Sequence, residues 1–264
     1  MLLRNKNAVI YGAGGAIGGA VAKAFAREGA RVFLAGRRIE PLEKVATDIR
    51  RLGGEADVVP VDTLDEQAVD VHFSRIVEKA GKIDISFNAI SIPQTGVQGI
   101  PLVELSADRF TLPITTYTRS YFNTSKTAAR HMASHRSGVI ILLTATPARF
   151  AAPLVGGMPL AWSALEALTR SLAGELGPQG IRVVCLRSDG IPGTDIITEV
   201  YGLHAKAIGM PSHKEFQSIM EGQTLLKRLP TLEEVGDTAA FVASDGAGAM
   251  TGTVVNLSCG SVVD

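Results

Sequence analysis

A glycine-rich turn near the start of the chain has the residue types and spacing that bind phosphate. Residues 8–18 begin with an apolar run that predicts a strand, continue through the glycines, and end in the start of a helical pattern. Glycine lets backbone N–H groups approach a pyrophosphate, and the first turn of a helix offers partial positive charge to it. A tight turn without a ligand is the alternative. The expected phosphate contacts are Gly12, Gly14, Ala16, Ile17 and Gly18.

Two arginines follow the second predicted strand, where a dinucleotide's adenosine ribose would be recognised. Gly36, Arg37 and Arg38 stand at this strand end, with no carboxylate among them. Proteins that use NAD commonly place a carboxylate there to accept hydrogen bonds from the ribose. Guanidinium groups instead match a 2′-phosphate in a bidentate fashion. The pair predicts NADP(H) over NAD(H), unless one or both arginines are solvated cations at the start of a helix.

The rest of the chain alternates short β-branched runs with longer amphipathic ones. Strands are predicted at residues 7–11, 31–35, 57–61, 83–87, 139–143, 181–186 and 253–257. Helical periodicity covers residues 17–28, 40–52, 66–80, 108–133 and 163–176. Continuous apolar strands joined by helices predict a parallel sheet covered on both faces. We therefore expect an α/β fold of the Rossmann-like, doubly wound type, with seven parallel strands.

The composition offers no point at which to divide the 264 residues into two domains. No internal repeat is visible, and no tract rich in Pro, Gly or Ser forms a linker, so residues 1–264 are expected to form a single dinucleotide-binding domain. The interval 190–230 breaks the alternation of strands and helices. It predicts a helix or two, at a place where a lid over the site could form.

Charge and hydropathy disfavour several classes of partner. Basic and acidic residues balance at 26 each, whereas a nucleic-acid binder more often carries a basic excess. The chain has neither an uninterrupted apolar run long enough to span a membrane nor the apolar centre of a signal peptide near its start. Cys185 and Cys259 lie in apolar segments and are expected to be reduced thiols. These features predict a cytoplasmic protein without nucleic-acid, membrane or metal partners.

As a set, the motifs resemble those of the short-chain dehydrogenase/reductase family along essentially the whole chain. Residues 11–18 resemble the family's Thr-Gly-x-x-x-Gly-x-Gly turn, with Tyr11 and Ala16 as departures. Asp62 resembles the family's Asp that meets the adenine amine, and Asn88 resembles the first Asn of its Asn-Asn-Ala-Gly motif. The resemblance implies that both lie near the cofactor, although Asn88 can as readily cap the end of its strand.

The same resemblance implies where the family's four catalytic residues would lie, and all four positions carry other side chains. The family's Tyr-x-x-x-Lys falls on Met158 and Trp162. Its Ser falls on Ala145 and its Asn on Tyr117. Methionine has no proton to give, and tryptophan has one N–H donor and no charge. The frame of a hydride-transfer enzyme is therefore expected without its usual proton donor.

Tyr117 is the one candidate for a replacement proton donor. The resemblance implies that this helix position points into the site, and a phenol reaches further than the amide of Asn. No nearby lysine is apparent to lower its pKa from about 10. A packed aromatic side chain at a helix interface is the alternative.

Asp189 is the second unusual residue of the expected site. It lies in the segment 187–191, where the family usually has Pro-Gly beside the nicotinamide. A carboxylate there would favour the cationic oxidised ring over the neutral reduced one. A surface-facing Asp in a turn is the alternative.

These features favour an NADP-dependent oxidoreductase that acts on a small carbonyl, alcohol or related substrate with non-standard proton delivery. The alternatives are a catalytically inactive cofactor-binding or scaffold protein, and a non-redox isomerase or cyclase that uses the same pocket. The resemblance also implies a homo-oligomer, dimer or tetramer, joined through the two long helices and the last strand. The expected apolar lining of the substrate pocket is Met158, Trp162, Ile191, Leu203 and Met210.

Overall fold

The computed structural model describes residues 1–263 and contains a seven-stranded sheet. Its strands are β1 (Asn7–Tyr11), β2 (Arg31–Ala35), β3 (Ala56–Val58), β4 (Ile85–Asn88), β5 (Gly138–Ala145), β6 (Ile181–Ser188) and β7 (Val254–Leu257). Their order across the sheet is β3-β2-β1-β4-β5-β6-β7, and every neighbouring pair is parallel. The order reverses between β1 and β4, which is where a doubly wound sheet opens a crevice for a ligand. The predicted α/β fold is confirmed.

Helices cover both faces of this sheet. They are α1 (Ala16–Arg27), α2 (Ile39–Arg51), α3 (Glu66–Ala80), α4 (Ala107–Ala133), α5 (Met158–Leu176), α6 (Asp195–Ala207), α7 (His213–Gln223) and α8 (Leu232–Ala243). Successive strand residues alternate between the two faces. Val9 packs in the core formed with α3, α4 and α5, whereas Ile10 packs in the core formed with α1, α2 and α8.

Helix α5 begins five residues earlier than the periodicity predicts, at Met158 rather than Ser163. Pro159 lies in its first turn, where the missing N–H has no intrahelical partner to lose. Met158 and Trp162 therefore stand one turn apart on the same helix face. Two helices, α6 and α7, fill the interval 190–230, as expected.

In the part of the chain that the structure describes, no helix is both long and apolar enough to cross a lipid bilayer. The same residues hold no group of three or more His, Cys, Asp or Glu side chains arranged for a metal ion. Cys185 is buried, Cys259 is half-buried, and both are free thiols.

Candidate active site

The turn between β1 and α1 is held tight by two glycines that no other residue could replace without a shift. Gly12 has a φ of +75°, and a Cβ there would lie 2.5 Å from the carbonyl oxygen of Ala89. A Cβ at Gly18 would lie 2.3 Å from the carbonyl oxygen of Gly12. Because both contacts are with backbone atoms, the turn depends on glycine at each position. These close approaches bring the start of α1 to the carboxyl edge of the sheet.

The first turn of α1 presents backbone donors to the cleft at this edge. The N-cap residue, Gly15, has no side chain to cap the helix, and the first turn holds no acidic residue. The first backbone bond into the helix runs from the Gly19 N–H to the Gly15 carbonyl at 2.8 Å. The N–H groups of Ala16, Ile17 and Gly18 precede it, and all three residues line the cleft. Such a helix start binds an anion through its N–H groups and its partial positive charge.

The cleft has two sections that meet at the start of α1. The outer section, of about 330 Å³, lies over the ends of β1 and β2 and is lined by the turn and by the segments that follow β2 and β3. The inner section, of about 470 Å³, lies over the ends of β4, β5 and β6 and beneath α6. Residues common to both are Gly14, Gly15, Arg38, Ile90 and Ser91. An extended ligand could therefore pass from one section to the other along the helix start.

The outer section contains the two arginines that were predicted to bind a phosphate. Arg37 and Arg38 are exposed and line this section together with Gly36. Among residues 1–263, neither guanidinium forms an ion pair with a carboxylate. Asp62 lies in the same section, where its Oδ1 accepts the N–H of Leu64 at 3.0 Å. Within the part of the chain that the structure describes, the section thus offers two cations without an ion pair and one carboxylate held in a turn.

Asn88 lies at the end of β4 but lines neither section. Its Nδ2 donates to the hydroxyls of Thr124 at 3.0 Å and Ser120 at 3.3 Å. Its Oδ1 accepts the N–H of Ile90 at 3.0 Å. These hydrogen bonds join the end of β4 to α4 and fix the loop after β4. This favours the capping alternative.

All four positions of the expected catalytic set line the inner section: Tyr117, Ala145, Met158 and Trp162. The fold therefore brings these four positions together in one part of the cleft. Ala145 pairs with Ser188 of β6 at the carboxyl edge of the sheet, and Met158 is 2% exposed. Of the apolar lining predicted from the sequence, Ile191 also contributes, whereas Leu203 and Met210 lie outside it. A Cβ at Gly99 would lie 3.0 Å from the Cβ of Leu203, which places Leu203 against that loop.

Tyr117 is buried in the wall of the inner section. Burial raises the pKa of Tyr117 to about 12, while the Ser91 hydroxyl and the Ile92 backbone oppose that rise. The phenol therefore keeps its proton at neutral pH. It can donate a hydrogen bond, and it can give up the proton only to a strong base.

Asp189 is also buried, and its carboxylate lines the inner section. Oδ1 accepts the N–H of Gly190 at 2.7 Å, and Oδ2 accepts the hydroxyl of Ser261. Burial raises the pKa of Asp189 above its usual range, and these donors together with the Thr146 hydroxyl oppose the rise. The surface-turn alternative is therefore wrong for this residue.

A chain of buried polar side chains that begins in the lining of the inner section was not predicted from the sequence. His204 of α6 contacts Gln98, Gln98 donates to Gln94 at 2.6 Å, and Gln94 donates to the Ile92 carbonyl at 2.5 Å. Nearby, both the N–H and the hydroxyl of Thr95 donate to Glu199 of α6. Helix α6 is thus tied to the loop 92–99. Two glutamines four residues apart in a loop gave no periodic or motif signal.

Comparisons with known proteins agree with this architecture over the full chain. The family model described as enoyl-(acyl carrier protein) reductase matches residues 12–261. An uncharacterised oxidoreductase of Thermotoga maritima is 31% identical over 263 residues, which cover 99% of this chain and 99% of that protein. The uncharacterised oxidoreductase YxbG of Bacillus subtilis is 32% identical over 250 residues, which cover 95% of this chain and 88% of that protein.

A solved structure has a fold very similar to that of this chain. The crystal structure of an NAD⁺-bound xylitol dehydrogenase superposes with a TM-score of 0.93 at 27% sequence identity. The superposition covers 98% of this chain and 100% of that one.

Proposed function

This chain belongs to the short-chain dehydrogenase/reductase family, and on that premise we propose that it is an NADP(H)-dependent oxidoreductase with non-standard proton delivery. The proposed substrate is a small carbonyl compound, an alcohol or a related molecule. The observation that carries the proposal is the outer section of the cleft. There, two arginines that form no ion pair within residues 1–263 follow β2, whose end carries no carboxylate, and they stand beside Gly14 and Gly15, which lead into the open N–H groups of α1.

The residues present fit a nicotinamide dinucleotide phosphate. The N–H groups of residues 16–18 would hold the diphosphate, and Arg37 and Arg38 would hold the 2′-phosphate. The xylitol dehydrogenase neighbour is NAD⁺-bound, so the NADP(H) preference rests on these arginines rather than on the fold. When bound, NADP(H) would supply or accept a hydride. The chain's own contribution is to position the reactants in the inner section, which alone preserves much of the rate of such a reaction.

Proton delivery is assigned to the phenol of Tyr117. Losing a general acid typically costs about 10²–10⁴-fold in rate. A phenol with a pKa of about 12 is a poor acid toward water near neutral pH. The alkoxide that forms when a ketone accepts hydride is a stronger base than this phenolate, so the transfer to it is downhill. Tyr117 Oη can therefore replace the family's tyrosine at a lower rate.

Turnover of a panel of carbonyl compounds and imines with NADPH, followed at 340 nm, tests the proposal. We expect slow oxidation of NADPH by at least one compound. Tyr117→Phe should lower kcat by about 100-fold and leave NADPH affinity unchanged. Tyr11→Phe is the matched control, because the buried Tyr11 hydroxyl has no hydrogen-bond partner among the described residues.

Other outcomes would redirect the proposal. An unchanged kcat in Tyr117→Phe would remove Tyr117 from proton delivery. Tight NADPH binding without turnover of any compound would favour the second candidate, a catalytically inactive cofactor-binding or scaffold protein. That candidate is supported by the four replaced positions, and so is a non-redox isomerase or cyclase.

Asp189 should make the site prefer the oxidised cofactor. A buried carboxylate in the inner section attracts a cationic ring and not a neutral one, by about 10-fold in relative affinity. Because burial raises the pKa of Asp189, this preference should fade as the pH is lowered through that raised value. Fluorescence titrations of NADP⁺ and NADPH should show the preference lost in Asp189→Asn and kept in the surface variant Asp245→Asn. An undiminished NADP⁺ preference in Asp189→Asn would contradict this role.

The proposal extends to a homo-oligomer, dimer or tetramer. Helices α4 and α5 pack side by side and leave a shallow groove on their outer surface. Small side chains in that groove would let a second copy approach closely, and Phe122 is 47% exposed there. A monomer in sedimentation equilibrium would exclude this arrangement. The groove is lined by Thr115, Thr118, Arg119, Phe122, Ala164, Ala167, Leu168 and Ser171.

A further inference from the structure

We propose that Gln94 and Gln98 form the oxygen-binding site for the substrate, which is a neutral and largely apolar molecule that carries a carbonyl oxygen. This inference deepens the proposed function, because it concerns the substrate of the same cleft. Both side chains line the inner section, and they are only 1% and 5% exposed. In the same section, the side chains of Ala145 and Met158 have no hydrogen-bond donor.

The carbonyl of Ile92 fixes the orientation of both amides. A carbonyl only accepts, so the atom of Gln94 at 2.5 Å from it must be the nitrogen. The oxygen of Gln94 then faces Gln98 at 2.6 Å and must receive an N–H from it. The oxygen of Gln98 consequently faces His204 Nε2 at 3.1 Å, which must carry the hydrogen. Burial lowers the pKa of His204, in keeping with this neutral tautomer.

Each of these amides has one donor left over. An amide nitrogen carries two hydrogens, and the nitrogens of Gln94 and Gln98 each make one hydrogen bond to residues 1–263. A buried N–H without an acceptor is unfavourable, because it has lost its hydrogen bonds to water. A ligand oxygen in the inner section would satisfy these donors. The geometry is therefore that of a donor pair prepared for an acceptor.

The loop that carries the glutamines is rigidly placed beside the start of α5. The Gln94 carbonyl accepts the N–H groups of Val97 and Gln98, both at 3.0 Å. The Gly99 N–H donates to the Leu154 carbonyl at 2.8 Å. A Cβ at Gly156 would lie 2.4 Å from the Val97 oxygen, so the loop abuts the segment that leads into Met158.

The other lining groups indicate a neutral ligand. The acidic residues Asp189 and Asp195 line the inner section, whereas Arg38 stands at its border with the outer section. Two carboxylates disfavour an anionic substrate, and the remaining walls disfavour a strongly polar one. The apolar wall is formed by Leu143, Met158, Trp162, Ile191, Ile196, Ile197 and Val200.

Binding of matched ketone and hydrocarbon pairs tests the inference. The probes are cyclohexanone with cyclohexane and 2-decalone with decalin, each titrated with and without saturating NADP⁺. Trp162 is the single tryptophan of the chain and lines the inner section, so its fluorescence reports occupancy. We expect at least one ketone to bind about 10-fold more tightly than its hydrocarbon, since one neutral hydrogen bond contributes about that factor.

The variants Gln94→Met and Gln98→Met remove the donors at nearly constant volume. In either variant that folds, the ketone preference should fall to within about threefold, with hydrocarbon affinity unchanged. Gln67→Met, on the exposed surface of α3, should keep the full preference. An unchanged preference in both pocket variants, or no ketone preference in the unmodified protein, would overturn the inference. If the unmodified protein binds the ketone preferentially but does not bind NADP⁺, the proposed function would be overturned and this inference would stand.

Discussion

Replacing Arg37 and Arg38 together by alanine is expected to weaken NADPH binding by at least about 100-fold. Each guanidinium can make charge-assisted hydrogen bonds to the 2′-phosphate, and such bonds contribute about 1.5–3 kcal/mol. NADH lacks this phosphate, so its affinity should change by less than about threefold. Because neither arginine is paired with a carboxylate in residues 1–263, the substitution removes no internal contact of that kind. Titrations of both cofactors at one fixed ionic strength measure the difference.

The control for this prediction is Arg51→Ala, on the exposed side of α2 and outside the cleft. It removes a cation from the opposite end of α2 without touching the outer section, and it should leave the affinities for NADPH and NADH unchanged. Equal losses of affinity for NADPH and NADH in the double variant would mean that the arginines attract the whole dinucleotide electrostatically and do not recognise the 2′-phosphate. A protein that binds NADH more tightly than NADPH before any substitution would contradict the NADP(H) preference directly.

Breaking the buried ion pair between Glu166 and Arg187 should lower the free energy of unfolding strongly. The two side chains are only 5% and 3% exposed, with Arg187 Nε 2.7 Å from Glu166 Oε1. A second bond joins Arg187 Nη2 to Oε2 at 2.9 Å. Arg187→Met leaves the buried carboxylate without its counter-charge, which costs about 3–5 kcal/mol. For a chain of this size, that corresponds to a fall in Tm of roughly 10 °C.

A double-mutant cycle separates the charge effect from packing. Replacing both residues by methionine removes both charges, and such apolar replacements of buried pairs are often neutral or stabilising. The double variant should therefore be more stable than either single variant, as measured by urea or thermal unfolding. Arg170→Met, on the exposed face of α5, is the surface control. If the losses of the two single variants simply added in the double variant, the pair would not be coupled.

The strands and helices followed from the sequence because their patterns are local. Continuous apolar runs such as 7–11 and 31–35 fall on β1 and β2 with the same bounds. The predicted helix 66–80 likewise coincides with α3, whose N-cap Asp65 accepts the N–H of Ala68. Helix α5 begins five residues before the predicted run, and Pro159 fits there because a proline is favourable in a first turn.

That the glycine turn and the two arginines line one cleft was predictable, because each is a short contiguous segment at the end of a predicted strand. The interior of the substrate side was not, because its contacts join residues far apart in the chain. The Gln98–His204 contact spans 106 residues, and neither residue stands in a recognisable motif. Glu166 and Arg187 did leave a signal, since each is a lone charge within an apolar segment. Because a buried charge needs a partner, two lone charges of opposite sign in apolar segments predict a buried ion pair.

The proposed function depends above all on the proposed phosphate site at the start of α1, and a crystal structure with NADP⁺ tests it most directly. We expect diphosphate oxygens within hydrogen-bond distance of the N–H groups of residues 16–18. The 2′-phosphate should lie between Arg37 and Arg38, and the nicotinamide should enter the inner section. Crystals soaked to saturation in which side chains fill the turn, or in which the phosphates bind elsewhere, would contradict the account.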